Sequence, residues 1–138
     1  TYAGHPVGCA VAVKTLEIYQ RDKIVDHVEK VSPTFLRRLN KLNEHPLVGE
    51  AKGVGLIGGA ELVKDKQTKA SFEGKKGVGA KAVAYALEEG FITRAMGDRL
   101  AFCPPLVINE AEIEEMFNRC ERALDKTLNW AKAEGLLA

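Results

Sequence analysis

The feature that most constrains the fold is a change in the spacing of apolar residues part-way along the chain. Before His45-Pro46 the apolar residues recur every three or four positions, which predicts amphipathic helices. After it the stretch VGEAKGVGLIGGAELV alternates aliphatic residues with glycines, which predicts two short strands bent around Gly53-Val54-Gly55. Both periods occur in a chain of 138 residues, the size of a single domain with its own core.

Local signals set the boundaries of the predicted helices. Pro6 suits the first position of the first helix, and the apolar stripe of the second keeps its phase across Pro33, which predicts one kinked helix rather than two. Gly90 is predicted to end the third helix, and Asn109 with Glu112 to begin the fourth through a capping box. The apolar positions of the first helix are Val7, Ala10, Val11, Leu16 and Ile18.

A second pair of strands is predicted near the end of the chain. FITRAM and RLAFCP flank Gly97-Asp98, which is typical of a hairpin, and Pro104-Pro105 ends the pairing because proline donates no ladder hydrogen bond. The stretch KDKQTKASFEGKK is predicted to be a solvated loop. The order helix, helix, strands, helix, hairpin, helix predicts an α+β domain with a small, mostly antiparallel sheet covered by helices.

Composition excludes several classes of partner. A net charge of +1 gives no electrostatic reason to expect nucleic acid or an acidic membrane surface, and no apolar run approaches the roughly 20 residues that span a bilayer. Cys9, Cys103 and Cys120 are widely spaced and match no metal-ligand or disulfide pattern. We interpret them as small buried thiols and expect a cytoplasmic protein without a metal site.

The opening stretch is the first candidate site. No Ser, Thr, Asp or Asn precedes Pro6, and His5 is a poor N-cap, so the first amide groups of the helix lack an obvious partner. With Gly4 and the Thr1 hydroxyl nearby, such a helix start can receive a phosphate group. Water can satisfy the same amide donors, and the residues by themselves favour hydration of these amides over phosphate binding.

Arg94 is the second candidate. It lies in an apolar strand just before the Gly97-Asp98 turn, where an arginine usually extends to solvent. If it is held beside a cavity, its planar guanidinium can bind a carboxylate through two hydrogen bonds. The spacing of residues does not choose between these two interpretations.

Three segments together resemble one known family. TYAGHPVGCAVAVKTLEIY, HPLVGEAKGVGLIGGAELV and ITRAMGDRLAFCPPLVI, in order and at the right spacing, are similar to the C-terminal part of class III (ω-type) pyridoxal-phosphate aminotransferases. The resemblance covers essentially the whole chain. It implies that residues 1–138 form the small C-terminal domain of a fold-type I enzyme, and that the chain begins in the middle of that enzyme.

The resemblance also implies where the cofactor is held. Family members bind pyridoxal 5'-phosphate as a Schiff base on a lysine of the large domain, and no lysine here stands in a matching context. The threonine of the opening motif, Thr1 here, binds the phosphate of the cofactor held by the partner subunit. The implied partners are the chain's own large domain and a second subunit, in a homodimer or higher assembly. We therefore expect this chain to be inactive by itself.

Arg94 narrows the implied subgroup. Ornithine-type enzymes place an arginine shortly before the Pro-Pro-Leu, where this chain has Leu100-Ala101-Phe102-Cys103. Amine–pyruvate enzymes instead have the arginine before the turn, where it pairs with the substrate carboxylate and swings out for a carboxylate-free amine. The implied reaction moves an amino group from an amine or ω-amino acid to a keto acid such as pyruvate. The alternative is a non-catalytic α+β module that binds a ligand or mediates dimerisation.

Overall fold

The computed structural model describes residues 3–72 and 77–137. The helices are α1 (Pro6–Arg21), α2 (Ile24–Lys41), α3 (Val78–Glu88) and α4 (Glu110–Ala133), with a 3-10 turn at Leu42–Glu44. The strands are β1 (Val48–Val54), β2 (Ile57–Asp65), β3 (Ala70–Ser71), β4 (Arg94–Met96) and β5 (Arg99–Phe102). The predicted order of elements and the α+β class are confirmed.

All strand pairs are antiparallel, in the order β1-β2-β5-β4, with β3 paired to the end of β2. The first turn differs from the prediction: Gly53 still pairs with Gly58, and Val54 pairs with Ile57. The turn is therefore Gly55-Leu56, where Gly55 takes a left-handed φ of 57° that favours glycine. The predicted hairpin at Gly97-Asp98 is confirmed.

The segment predicted as a solvated loop contains structure. β2 continues to Asp65 and pairs with β3, and Phe72 is buried in the core. The prediction was wrong here because it treated the single aromatic residue only as too little for a basic binding patch, whereas that residue anchors the segment in the core.

The core lies on one face of the sheet. Phe117 of α4 is central to it: its ring centroid lies 5.4 Å from that of Phe35 on α2 and 5.4 Å from that of Phe102 on β5. The start of α4 is fixed by the predicted capping box, in which the Asn109 side chain accepts from the Glu112 amide and Glu112 accepts from the Asn109 amide. One apolar layer thus joins two helices to the sheet.

α2 runs through Pro33 as a single helix, as predicted. Near its end Arg38 is buried, and its guanidinium donates to Glu114, Asn118 and Glu121 of α4. A buried guanidinium needs hydrogen-bond acceptors to offset the loss of its hydration. The three acceptors on α4 therefore fix the position of α2 along α4.

Two surfaces have no covering element among the described residues. α1 buries none of its residues, so the apolar face predicted for it is exposed. The part of the opposite sheet face that carries Lys52, Arg94, Met96 and Arg99 is also open. Of the three cysteines only Cys120 is buried, where desolvation raises the pKa of its thiol to about 12; Cys9 and Cys103 are exposed, contrary to the prediction. Within residues 3–72 and 77–137 no helix has the length and apolarity needed to cross a membrane.

Candidate functional site

The start of α1 has open hydrogen-bond donors. His5 occupies the N-cap without a side-chain hydrogen bond, Gly4 has a φ of 72°, and the first turn contains no acidic residue. Among the described residues the amides of Val7 and Gly8 have no acceptor, whereas the Cys9 amide bonds the His5 carbonyl oxygen at 2.9 Å. Free amides at a helix start attract anions. Thr1 lies outside the described residues, so its predicted role stays a prediction.

Arg94 begins β4 on the open face of the sheet, where it pairs across the strands with Ala101. Its side chain is exposed, and it takes part in none of the ion pairs formed within the described part of the chain. The structure therefore places a free guanidinium on a sheet surface, which is compatible with either interpretation of this arginine.

The backbone that carries Arg94 is held at both ends. The Thr93 hydroxyl donates to the Ala101 carbonyl oxygen at 2.7 Å. At the turn, Asp98 accepts from the Leu62 amide through its carbonyl oxygen at 2.8 Å, and from the Gly79 amide through its carboxylate at 2.9 Å. The strand is thus a fixed base for a long, unrestrained side chain.

Gly79 allows α3 to approach this turn. A Cβ atom at Gly79 would collide with the Gly97 carbonyl oxygen, so only glycine fits at the contact. Sequence reasoning missed this anchor, although a glycine two positions inside a helix start was the available signal.

Charged side chains cross the open face in register with Arg94. One row runs Lys52, Gly59, Ala101 and Arg94, one residue from each strand in sheet order. The neighbouring row runs Glu50, Glu61, Arg99 and Met96. A groove of ≈ 300 Å³ lies over Gly59 and Ala101, because neither has a side chain large enough to fill it.

Two ion pairs line this groove. Lys52 Nζ lies 2.9 Å from Glu50 Oε2, and Arg99 Nη2 donates to Glu61 Oε2 at 3.0 Å. The hydrogen bond from Lys52 holds the pKa of the Glu50 carboxyl below its usual range. Neither pair was anticipated from sequence. The Arg99–Glu61 pair depends on the register of two strands, whereas Glu50 and Lys52 are two residues apart on β1 and share a face by strand alternation alone.

The two predicted sites are not joined in this structure. Within residues 3–72 and 77–137 no hydrogen bond or ion pair connects the opening stretch to Arg94. The described residues therefore present an open helix start and a free arginine as separate features.

Comparison with known proteins identifies the family. The sequence pattern of the family described as Aminotransferase class-III matches residues 1–124. The chain is 41% identical over 128 residues to the putrescine–pyruvate aminotransferase of Pseudomonas aeruginosa, covering 92% of this chain and 28% of that protein. It is 41% identical over 127 residues to the mitochondrial gamma-aminobutyrate transaminase 1 of Oryza sativa subsp. indica, covering 92% and 25%.

Solved structures give the same result. A transaminase bound to L-alanine superposes with a TM-score of 0.86 at 46% identity, covering 94% of this chain and 30% of that one. The omega transaminase of Pseudomonas jessenii in complex with PMP superposes with a TM-score of 0.84 at 43% identity, covering 92% and 28%. The chain spans between a quarter and a third of the length of these proteins.

Proposed function

The chain belongs to the class-III aminotransferases, and from this premise we propose that it is the small C-terminal domain of a pyridoxal-phosphate-dependent transaminase of the amine–pyruvate type. The complete protein transfers an amino group from an amine or ω-amino acid to a keto acid such as pyruvate. The observation that carries the proposal is a free arginine on a rigid hairpin, in a chain 41% identical to a putrescine–pyruvate aminotransferase. A cytoplasmic location is part of the same proposal.

The cofactor fits the start of α1 in one respect. A first turn with open amides and no carboxylate suits the phosphate group of pyridoxal 5'-phosphate. When bound, the cofactor supplies the electron sink for moving the amino group. The residues of this chain donate to its phosphate, through Thr1 and the helix start, while other parts of the complete protein hold its ring.

The exposed face of α1 supports a larger assembly. Val7, Val11 and Leu16 are each more than half exposed on this helix. Val7 and Leu16 are nine positions apart and so lie on opposite sides of the helix, which means that α1 exposes apolar side chains on more than one side. Exposed apolar surface of this kind marks an interface. In the complete protein the large domain and a second subunit cover it.

Arg94 binds the carboxylate of the keto acid or amino acid. Its guanidinium is free of internal partners in the described residues and can offer two parallel hydrogen bonds. A carboxylate-free amine offers nothing for it to hold, so the two half-reactions differ in their need for Arg94.

The test is single-turnover kinetics of each half-reaction in the complete protein. Arg94→Ala is expected to lower kcat/KM for pyruvate by about 10- to 100-fold, as loss of a bidentate charged pair does. The amine half-reaction is expected to change little. Arg94→Lys is expected to recover part of the loss, because a point charge lacks the planar two-bond geometry.

The matched control is Arg37→Ala, which removes an exposed arginine on α2. It is expected to affect neither half-reaction. An equal loss in both half-reactions with Arg94→Ala would show that Arg94 only extends to solvent, and would remove its carboxylate-binding role.

Thr1 is tested separately in the complete protein. Thr1→Ala is expected to weaken cofactor binding by about 1–3 kcal/mol, the loss of a charge-assisted hydrogen bond to phosphate. Equilibrium titration of the cofactor-free protein with pyridoxal 5'-phosphate measures it. Equal affinity in variant and parent would take Thr1 out of the site.

A further inference from the structure

Glu61 is the acidic side chain of the open sheet face that lies nearer to Arg94, one strand closer than Glu50. Its Oε2 accepts from Arg99 Nη2 at 3.0 Å, while its Oε1 has no hydrogen-bond partner among the described residues. A carboxylate can accept from two arginines, because each oxygen carries two lone pairs. The side chains of both Glu61 and Arg99 are about half exposed.

The path from Arg94 to Glu61 by way of Ala101 and Gly59 crosses only small residues, and Arg99 stands beside it on the same face. Arg94 lies opposite Ala101, Ala101 opposite Gly59, and Glu61 follows two residues after Gly59 on the same face. The floor of this path therefore consists of a methyl group and a hydrogen atom. The ≈ 300 Å³ groove lies above that floor and has Glu61 and Arg99 in its lining.

The distance is within reach of the two side chains. Two strand spacings amount to about 10 Å across the sheet, and two residues along β2 add about 7 Å in the perpendicular direction, giving about 12 Å between Cα atoms. An extended arginine and an extended glutamate together bridge a gap of this size. In the structure described here Arg94 extends to solvent, so the bridged arrangement is a second position of its side chain.

We propose that Glu61 is a specificity-determining residue, because it is the internal carboxylate over which Arg94 folds when no substrate carboxylate is bound. Arg99 shares Glu61 in that state and keeps it in place. The inference rests on the proposed carboxylate-binding role of Arg94. Glu61 then competes with an external carboxylate for the same guanidinium.

Competition between Glu61 and an external carboxylate weakens the binding of that carboxylate by an amount that can be measured. A ligand that needs free Arg94 binds more weakly in proportion to the fraction of Arg94 held by Glu61. An exposed ion pair is worth up to about 1 kcal/mol, which corresponds to at most about a fivefold effect. Removal of Glu61 is therefore expected to tighten carboxylate binding by about threefold to fivefold.

The experiment uses propionate as a competitive inhibitor of the amine half-reaction in the complete protein. Glu61→Gln is expected to lower the inhibition constant of propionate by about threefold to fivefold. Glu50→Gln is the matched control, because Glu50 lies on the same face and is paired with Lys52 at 2.9 Å. It is expected to leave the constant unchanged.

Combination with Arg94→Ala separates the possible outcomes. Arg94→Ala is expected to weaken propionate binding, and Glu61→Gln is expected to have no further effect in that background. If Arg94→Ala leaves propionate binding unchanged, the proposed function fails. If Arg94→Ala weakens it but Glu61→Gln behaves like Glu50→Gln, or acts equally without Arg94, the inference about Glu61 is wrong and the role of Arg94 stands.

Discussion

α1 and α2 are consecutive helices with apolar residues, but those of α2 are buried and those of α1 are exposed. Leu39 of α2 is 1% exposed within the core, whereas Leu16 of α1 is 62% exposed. Helical periodicity identifies which face of a helix is apolar, but the presence of a partner depends on what else packs there. Among the described residues of this chain, nothing buries the apolar side chains of α1.

The largest expected effect comes from making the same substitution, leucine to alanine, in both helices. Leu39→Ala is expected to lower the free energy of unfolding by about 2–5 kcal/mol, because it removes buried methyl groups and leaves a cavity. Leu16→Ala is expected to change it by less than about 0.5 kcal/mol, as surface substitutions do. Urea denaturation of the chain measures both, and similar losses for the two variants would show that α1 is packed in solution.

Local signals predicted most of the fold. The capping box at Asn109, the helix through Pro33 and the hairpin at Gly97-Asp98 depend on residues close in sequence, and all are confirmed. The end of β1 and the burial of Phe72 were not predicted. Both depend on pairing and packing with distant residues, which local propensity does not contain.

The site was predictable only in outline. Sequence placed Arg94 on a strand before a turn, as the structure does. The opposition of Arg99 to Glu61, and the bare path over Gly59 and Ala101, follow from the pairing of β2 with β5. A shift of one residue in that register would move every one of these side chains to the other face of the sheet, so no local pattern predicts them.

The second prediction tests whether the exposed apolar residues of α1 mediate self-association of the chain. Leu16→Glu is expected to weaken self-association of the chain at least about tenfold, since burial of a leucine contributes about 1.5–3 kcal/mol. Sedimentation velocity over a range of concentrations measures it. Lys14→Glu, a charge change at an exposed polar position of the same helix, is the control. A chain that stays monomeric at high concentration with Leu16 intact would contradict this use of the surface.

The third prediction compares two adjacent arginines with a shared partner. Arg37 and Arg38 both donate to Glu114, but their side chains are 61% and 7% exposed. Arg38→Met is expected to lower the free energy of unfolding by about 1–2 kcal/mol, because partly buried carboxylates lose their donor. Arg37→Met is expected to lower it by about 0–1 kcal/mol.

Salt dependence distinguishes the same two arginines. The loss caused by Arg37→Met is expected to shrink in urea titrations at high salt, whereas the loss caused by Arg38→Met persists, since buried pairs are screened less. Equal losses for both variants at every salt concentration would mean that burial of Arg38 contributes nothing to its strength.

The smallest expected effect on stability comes from His45, and the groups around its ring determine whether acid raises or lowers that stability. Its Nδ1 accepts from the Leu47 amide at 3.1 Å, and its Nε2 lies 3.3 Å from Asp125 Oδ1. The proton of the neutral ring therefore sits on Nε2. Burial lowers the pKa of His45, which outweighs the opposite effect of Asp125, and the charge of Lys66 lowers the pKa further.

A lowered pKa makes the folded chain less stable in acid. As the pH falls below the ordinary histidine pKa of 6.5, the unfolded chain binds a proton at this position that the folded chain resists, so the stability contributed by neutral His45 is lost. His45→Asn keeps an acceptor near the Leu47 amide and cannot titrate. The loss of stability between pH 8 and pH 5.5 is therefore expected to be smaller in this variant than in the parent. Urea midpoints measured across this pH range follow the loss. Asp125→Asn removes the carboxylate that raises the pKa of His45, and the loss is expected to steepen. Equal slopes in the parent and His45→Asn would exclude His45 as the source, and a parent that gains stability in acid relative to His45→Asn would show that Asp125 outweighs burial.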